Sequence, residues 1–184
     1  MNLCRIVFWY NVLMLWDLTG FYWLNSYVGV NPKWDSFFIF ISDSLLYVCC
    51  AIVLLFFVLW KKPIIYKIKI FGSFVLSAIF SYAVVYLVFH QIWPRSRPFD
   101  SLEGVKPLVK ESGLSFPSKH AMGACLLATF TFLYNKKLGV LIFFLSIFVA
   151  VGRVFVGVHY PTDVIAGALF GIVVGLLFGN KIKE

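Results

Sequence analysis

Apolar residues run along this chain in long blocks separated by short polar joints. Five blocks stand out, at about 36–60, 68–92, 118–134, 138–157 and 161–179. Each meets or approaches the roughly 20 apolar residues that a helix needs to cross a bilayer. The third is short at its strict apolar limits and draws on flanking residues. Ahead of them, Leu3–Val28 is apolar but interrupted by Arg5, Asn11, Asp17 and Asn25, and is dense in Trp9, Tyr10, Trp16, Tyr22 and Trp23. Tryptophan and tyrosine favour the headgroup boundary. The pattern predicts an all-α, polytopic membrane helix bundle. Five strong transmembrane helices are expected, with an N-terminal helix within residues 1–28 that is either interfacial or a sixth span. Residues 1–184 form one domain, and the loop 93–117 is its only long connection.

Composition agrees with the pattern. The 184 residues are 61% hydrophobic and 13% charged, and the mean hydropathy is +0.91. A soluble domain would need more polar surface, so the solvent is expected to be lipid. The first block carries Asn11 and Asp17 and lacks a clear small-residue cleavage site, so no cleavable signal peptide is expected. Cys4, Cys49, Cys50 and Cys125 make no C-x-x-C pair, so buried filler fits better than a disulfide scaffold or zinc site. Gly167, Gly171 and Gly175 recur at a spacing that lets another helix approach closely, within the bundle rather than across a dimer.

The formal charge of +8 would suit nucleic acid or an anionic surface. Its distribution decides for a membrane protein and against nucleic acid. Lys61, Lys62, Lys67 and Lys69, then Lys136 and Lys137, then Lys181 and Lys183 fall on one side if the five spans alternate. The positive-inside rule makes that side cytoplasmic. The loop 93–117 then faces outward.

That outer side is expected to collect the only three histidines, His90, His120 and His159, with Arg95, Arg97, Lys119 and Arg153 close to them in sequence. Ionisable groups beside a bilayer are costly unless paired or functional. The bland alternative is a basic belt that binds headgroups; the local sequences argue against it. In Gly152–Asp163, Pro161 suits a helix start, and Asp163 in the first turn could reach back to the imidazole of His159. In Phe116-Pro117-Ser118-Lys119-His120, a hydroxyl and helix-start N–H groups make a phosphate cradle. In Trp93–Pro98, Arg95 and Arg97 offer guanidinium forks suited to phosphate.

These stretches resemble the tripartite signature of the type-2 phosphatidic acid phosphatase superfamily, K-x6-R-P, P-S-G-H and S-R-x5-H-x3-D. Here they are His90-x6-Arg97-Pro98, Pro117-Ser118-Lys119-His120 and Gly152-Arg153-x5-His159-x3-Asp163. The likeness covers roughly residues 20–180. It implies that His159 attacks phosphorus to form a phosphohistidine, that Asp163 orients His159, and that His120 protonates the leaving oxygen and then activates water. Arg97, Arg153 and Ser118 would hold the phosphoryl oxygens, with Lys119, His90 and Arg95 as further phosphate-binding candidates. Neither metal nor cofactor is implied, and the active face lacks a carboxylate cluster suited to metal. Three positions depart from the signature: His90 replaces its lysine, Lys119 its glycine and Gly152 its serine. Lys119 is expected to compensate for His90.

Within the superfamily, R-x-R-P-F and H-Y-P-T-D look most like bacterial undecaprenyl pyrophosphate phosphatases, with lipid A 1-phosphatases and phosphatidylglycerophosphate phosphatases sharing the signature. The expected partners are a membrane lipid phosphate and the bilayer, with no protein partner required. The expected location is the bacterial inner membrane, multi-pass, with the site facing the periplasm or outside. A transporter would need polar residues at mid-span, where Asp43 is the main exception to a nearly uncharged interior. A non-catalytic lipid-binding relative would not need His120, His159 and Asp163 together.

Overall fold

A polar residue followed by proline starts the first strongly apolar helix. The Asn31 side chain accepts a hydrogen bond from the Lys33 N–H at 2.9 Å, and Pro32 takes the first helical position. The helix therefore begins four residues ahead of the apolar block. In the computed structural model the backbone of residues 3–180 and the side chains of residues 14–180 except residue 86 are described. Expectations that rest on the side chains of Cys4, Arg5, Trp9, Tyr10 and Asn11, or on Lys181 and Lys183, lie outside the described residues.

Six long helices follow one another: α1 Leu3–Asn25, α2 Pro32–Leu59, α3 Ile64–Ile92, α4 Lys119–Tyr134, α5 Lys136–Phe155 and α6 Pro161–Gly179. Between α3 and α4 the chain is irregular apart from one helical turn at Pro98–Ser101. The described residues contain no strand. Helices α2, α3, α5 and α6 are each long and apolar enough to cross a membrane. Their outer faces carry exposed Leu54, Leu55, Phe71, Ile79, Phe144, Ile147, Leu169 and Val173, as expected of helices whose solvent is lipid.

Helix α4 departs from the expected set of five long spans. Its 16 residues rise about 24 Å, less than the roughly 30 Å hydrocarbon core. It is instead the most enclosed helix, with Ala121, Met122, Ala124, Cys125, Leu126, Leu127, Ala128 and Phe130 all buried. The glycine face of α6 packs on it: a Cβ added at Gly167 would lie 2.4 Å from the Ser118 carbonyl oxygen, and one at Gly171 2.2 Å from that of Met122. On its other side, Ala124, Leu127 and Ala128 pack with Ile41, Leu45, Cys49 and Val53 of α2 and Ile142 and Val149 of α5.

Alternating helix direction separates two ends. Trp60, Tyr66 and Tyr134 meet at one, with ring centroids 5.9–6.4 Å apart, and the Tyr134 hydroxyl donates to the Gly179 carbonyl. The opposite end gathers the start of α4, the junction between α5 and α6, and the segment 93–118. His90, His120 and His159 lie there with Arg95, Arg97 and Arg153.

Candidate active site

Helix α5 ends because Gly157 adopts φ +83°, a left-handed conformation that a side chain disfavours. The chain then passes through Val158, His159 and Tyr160, all buried, before Pro161 starts α6. Asp163 caps its own helix by accepting the Tyr160 N–H at 2.9 Å on Oδ2. Capping turns that carboxylate back toward His159.

The two groups face each other at ion-pair distance rather than in a direct hydrogen bond. Asp163 Oδ2 lies 3.7 Å from His159 Nδ1, too far for a hydrogen bond. Ser115 bridges them: its hydroxyl donates to Asp163 Oδ2 at 2.5 Å and lies 3.4 Å from Nδ1. A proton on Nδ1 directed at Ser115 leaves the Nε2 lone pair free, and Nε2 lies 3.4 Å from Arg97 Nη1. Burial, joined by the positive charge of Arg153 and Arg97, pushes His159 down to about 4 against the opposing pull of Asp163. The imidazole is therefore neutral at physiological pH, as a nucleophile must be. Ser115 sits in an irregular segment whose pattern carries no periodicity, so only its closeness to Pro117-Ser118 could have drawn attention to it.

Arg97 ties the segment together. Its guanidinium donates to the carbonyls of Gly113 at 2.9 Å, Val158 at 3.0 Å and Ser112 at 3.1 Å. Arg153, fully buried, donates to Asp43 Oδ1 at 2.5 Å and Ser42 Oγ at 3.2 Å. Ser42 and Asp43 come from a π-helical turn in α2, Phe40–Ser44, a feature frequent at functional sites. Gly152 accounts for the approach of that turn, since a Cβ there would lie 3.0 Å from the Ser42 backbone. The hydroxyl missing from position 152 is thus matched by one from Ser42.

His120, Lys119, Arg97, Glu111 and His159 line a cavity of about 310 Å³ whose remaining wall is Ala78, Ser81 and Tyr82 of α3 with Met122, Gly123 and Leu126 of α4. Two fully buried polar atoms beside it, Ser118 Oγ and Arg153 Nε, have no hydrogen-bond partner among the described residues. Buried polar groups are rarely left so, and donors of this kind beside a cavity suit an anion that enters it. Lys119 Nζ lies 5.6 Å from the centre of the Tyr82 ring. His90 is not on the cavity wall, and neither is Arg95. The Arg95 guanidinium is instead engaged by two carboxylates, Asp163 at 2.8 Å and Asp17. Asp163 and Asp17 outweigh burial and hold Arg95 above its ordinary value. Its guanidinium grips Asp163 away from that wall. Among the described residues, no group of three or more His, Cys, Asp and Glu converges as a metal-ligand set.

Glu111 was not foreseen either. One of its oxygens pairs with Arg153 and lies 3.9 Å from His120 Nδ1; the other is 3.5 Å from Arg97 Nη2. A carboxylate thus occupies the meeting point of two guanidinium groups and a histidine. Burial alone would raise its pKa, but Arg153 and Arg97 hold it below the usual range, so it is ionised at neutral pH. It must share these cations with any incoming anion. Glu111→Gln is expected to tighten inhibition by orthovanadate at least about fivefold, from the ~1 kcal/mol that a like charge at 4 Å costs even in water. Unchanged or weaker inhibition would contradict that competition.

Residues 70–182, more than half of the chain, match the PAP2 superfamily. A lipid A 4'-phosphatase of Porphyromonas gingivalis is 32% identical over 79% of this chain and 64% of its own length. The chain thus spans slightly less than two thirds of that relative. The undecaprenyl-diphosphatase BcrC of Bacillus subtilis is 26% identical over 80% of this chain and 75% of its own. Among solved structures, a transmembrane PAP2-type phosphatidylglycerolphosphate phosphatase from Bacillus subtilis superposes with a TM-score of 0.69 at 23% identity, covering 95% of this chain and 89% of that one. The last comparison establishes likeness of fold.

Proposed function

This chain belongs to the PAP2 superfamily, and from that premise we propose that it is an integral membrane lipid (pyro)phosphate phosphatase acting through a phosphohistidine on His159. The observation that carries the reading is the neutral, buried His159, whose Nε2 lies 3.4 Å from Arg97 on the wall of a cavity that also holds His120. In the first step Nε2 attacks phosphorus, the bond from phosphorus to the leaving oxygen breaks, and that oxygen takes a proton from His120, held as an imidazolium by the incoming phosphate and by Glu111, 3.9 Å from its Nδ1. In the second, His120 takes a proton from water, whose oxygen attacks phosphorus. The P–N bond breaks and inorganic phosphate leaves. Arg97, Arg153 and Ser118 stabilise the equatorial oxygens, where charge is spread in the transition state. No residue is asked to hold a metal.

A lipid substrate suits the cavity because Ala78 and Tyr82 of α3 and Met122, Gly123 and Leu126 of α4 give it an apolar side between two neighbouring helices. The tail can stay among them while the headgroup meets the polar end. Undecaprenyl pyrophosphate is the leading substrate: Lys119 is a cation on the cavity wall beyond the two arginines, which suits a second phosphate. The likeness to a lipid A 4'-phosphatase favours lipid A phosphate as the second reading, with phosphatidylglycerophosphate third. In this proposal α4 completes five spans. The lysine-bearing end, with Lys61, Lys62, Lys136 and Lys137, faces the cytoplasm of a bacterium, and the site opens at the outer face of the inner membrane.

The test is phosphate release by detergent-solubilised protein, with a chelator present, from undecaprenyl pyrophosphate, lipid A, phosphatidylglycerophosphate and phosphatidic acid. The fastest release is expected from undecaprenyl pyrophosphate. Faster release from lipid A would transfer the assignment to the second reading, and none from any of the four would end the phosphatase reading.

A further inference from the structure

Helix α1 supplies a group to this site from far away in sequence. Asp17, Gly20 and Phe21 are spaced i, i+3 and i+4 and so share one helix face, and that face docks on the start of α6. Gly20 allows the contact: a Cβ there would lie 3.2 Å from Pro161 Cγ. Phe21 is fully buried, 5.7 Å from the Tyr160 ring. Two turns beyond Asp17, Asn25 donates to the Phe155 carbonyl at 2.9 Å. Polar residues that interrupt an apolar run are therefore the ones that grip the α5–α6 junction.

Asp17 itself is 2% exposed. Its Oδ1 accepts the Thr162 N–H at 2.8 Å, a helix-start donor with no partner inside α6. Its Oδ2 accepts the Thr162 hydroxyl at 2.8 Å and a hydrogen bond from Arg95 Nη2. The Arg95 guanidinium carbon lies over the Tyr160 ring, 3.8 Å from its centre. Through Nη1 it donates to Asp163 Oδ1 at 2.8 Å and to Thr162 Oγ1 at 2.7 Å. Asp163 in turn receives Ser115, which faces His159. A continuous line of contacts runs from α1 to the imidazole.

We infer that Asp17 is a positioning residue for the reaction: through Arg95 it fixes the Asp163 carboxylate and keeps it electron-rich. One guanidinium shared between two carboxylates leaves a net negative charge facing Ser115 and His159. Without Asp17, Arg95 would pair with Asp163 alone and neutralise it. The positive charge that develops on the imidazole as it bonds to phosphorus would then find a weaker counter-charge. Asp17 does not line the cavity, so substrate binding should not depend on it.

This inference rests on the reading of His159 as the nucleophile, and the experiment separates the two. Turnover of undecaprenyl pyrophosphate by detergent-solubilised protein is measured for the wild type, Asp17→Asn, Asp17→Glu, Arg95→Lys and the Asp17→Asn/Arg95→Lys double variant. His159→Gln is the control, and each sample is taken from its monodisperse size-exclusion peak. Asparagine keeps an Oδ1 acceptor for the Thr162 N–H but puts an amide NH2 where Oδ2 received Arg95 and the Thr162 hydroxyl, so it removes both the charge and the grip on Arg95. Asp17→Asn is expected to lower kcat about 10-fold, the lower end of what removing an outer partner of a functional side chain costs, because Arg95 and Asp163 stand between it and His159; KM should stay within about twofold of wild type. Asp17→Glu should recover part of the loss. The double variant should cost little more than the larger single change, because the two groups act in one line. A kcat for Asp17→Asn equal to wild type would reduce Asp17 to a helix cap and overturn the inference, as would a rise confined to KM or strict additivity in the double variant. If Asp17→Asn does not accumulate as folded protein, Arg95→Lys decides. It retains the charge without the two-pronged grip, and an unchanged kcat overturns the inference. Wild-type release matched by His159→Gln would instead overturn the nucleophile assignment, and the positioning role with it.

Discussion

Replacing His159 with glutamine is expected to abolish turnover, lowering phosphate release by at least about 10³-fold; removing a nucleophile from a covalent hydrolase has cost up to about 10⁶. The residue is 2% exposed and already uncharged at neutral pH, so an amide of similar reach introduces no buried charge and should not unfold the site. What is lost is the lone pair on Nε2. The cradle of Arg97 and Arg153 remains, so orthovanadate should still compete for binding, less tightly for lack of a covalent partner. The second measurement is chemical. Wild-type protein quenched during turnover of substrate labelled in the transferred phosphate should carry label on one histidine, released by acid and stable to alkali. The variant should carry none. Label on the variant, or turnover within tenfold of wild type, would remove His159 from the role of nucleophile.

The parts of this arrangement differ in how far the amino-acid order could announce them. Helix ends are local events. Asn31-Pro32, Asn135 and Tyr160-Pro161 mark helix starts by side-chain capping or by the fixed φ of proline, and those signals can be read along the chain. The grouping of His120, Arg153, His159 and Asp163 at one end follows from counting alternating spans, and the structure does gather them there. The groups that complete the site are long-range. Ser115 and Glu111 reach it along an irregular segment whose path is set by Arg97 gripping the carbonyls of Ser112 and Gly113. Asp17 arrives from a helix almost 150 positions away from its Thr162 partner (|i−j| = 145). Asp43 did carry a signal, as a charge in an otherwise apolar span, but the π-helical turn that aims it at Arg153 has no signature in composition. The same gap explains Arg95. As a loop arginine near phosphate-binding motifs it suggested an anion ligand, and only the docking of α1 supplies Asp17, which together with Asp163 claims both arms of its guanidinium. His90 stands at the end of a long helix whose direction carries it off the cavity wall, while Lys119, its expected substitute, is on that wall.

Arg153→Lys is expected to lower kcat about 10²- to 10³-fold, the usual cost of removing one donor aimed at developing charge, even though the formal charge is kept. The argument lies in the directions of its donors. The guanidinium is fully buried and divides its N–H groups among Asp43, Ser42 and Glu111, leaving Nε without a partner. Asp43 and Ser42 anchor one side of the plane from α2. That leaves Nε and the arm paired with Glu111 as the groups able to turn to phosphate. A lysine ammonium is a point charge that cannot hold the α2 turn and a phosphoryl oxygen in fixed relation. Asp43 is partly exposed, so water can cover it when the arginine is gone, and the loss should appear in catalysis more than in folding. Thermal unfolding in detergent should therefore shift by only a few degrees while kcat collapses. A lysine variant within threefold of wild-type kcat would mean that charge alone suffices at position 153. The π-helical turn, Gly152 and the Ser42 hydroxyl would then be packing features with no part in the chemistry.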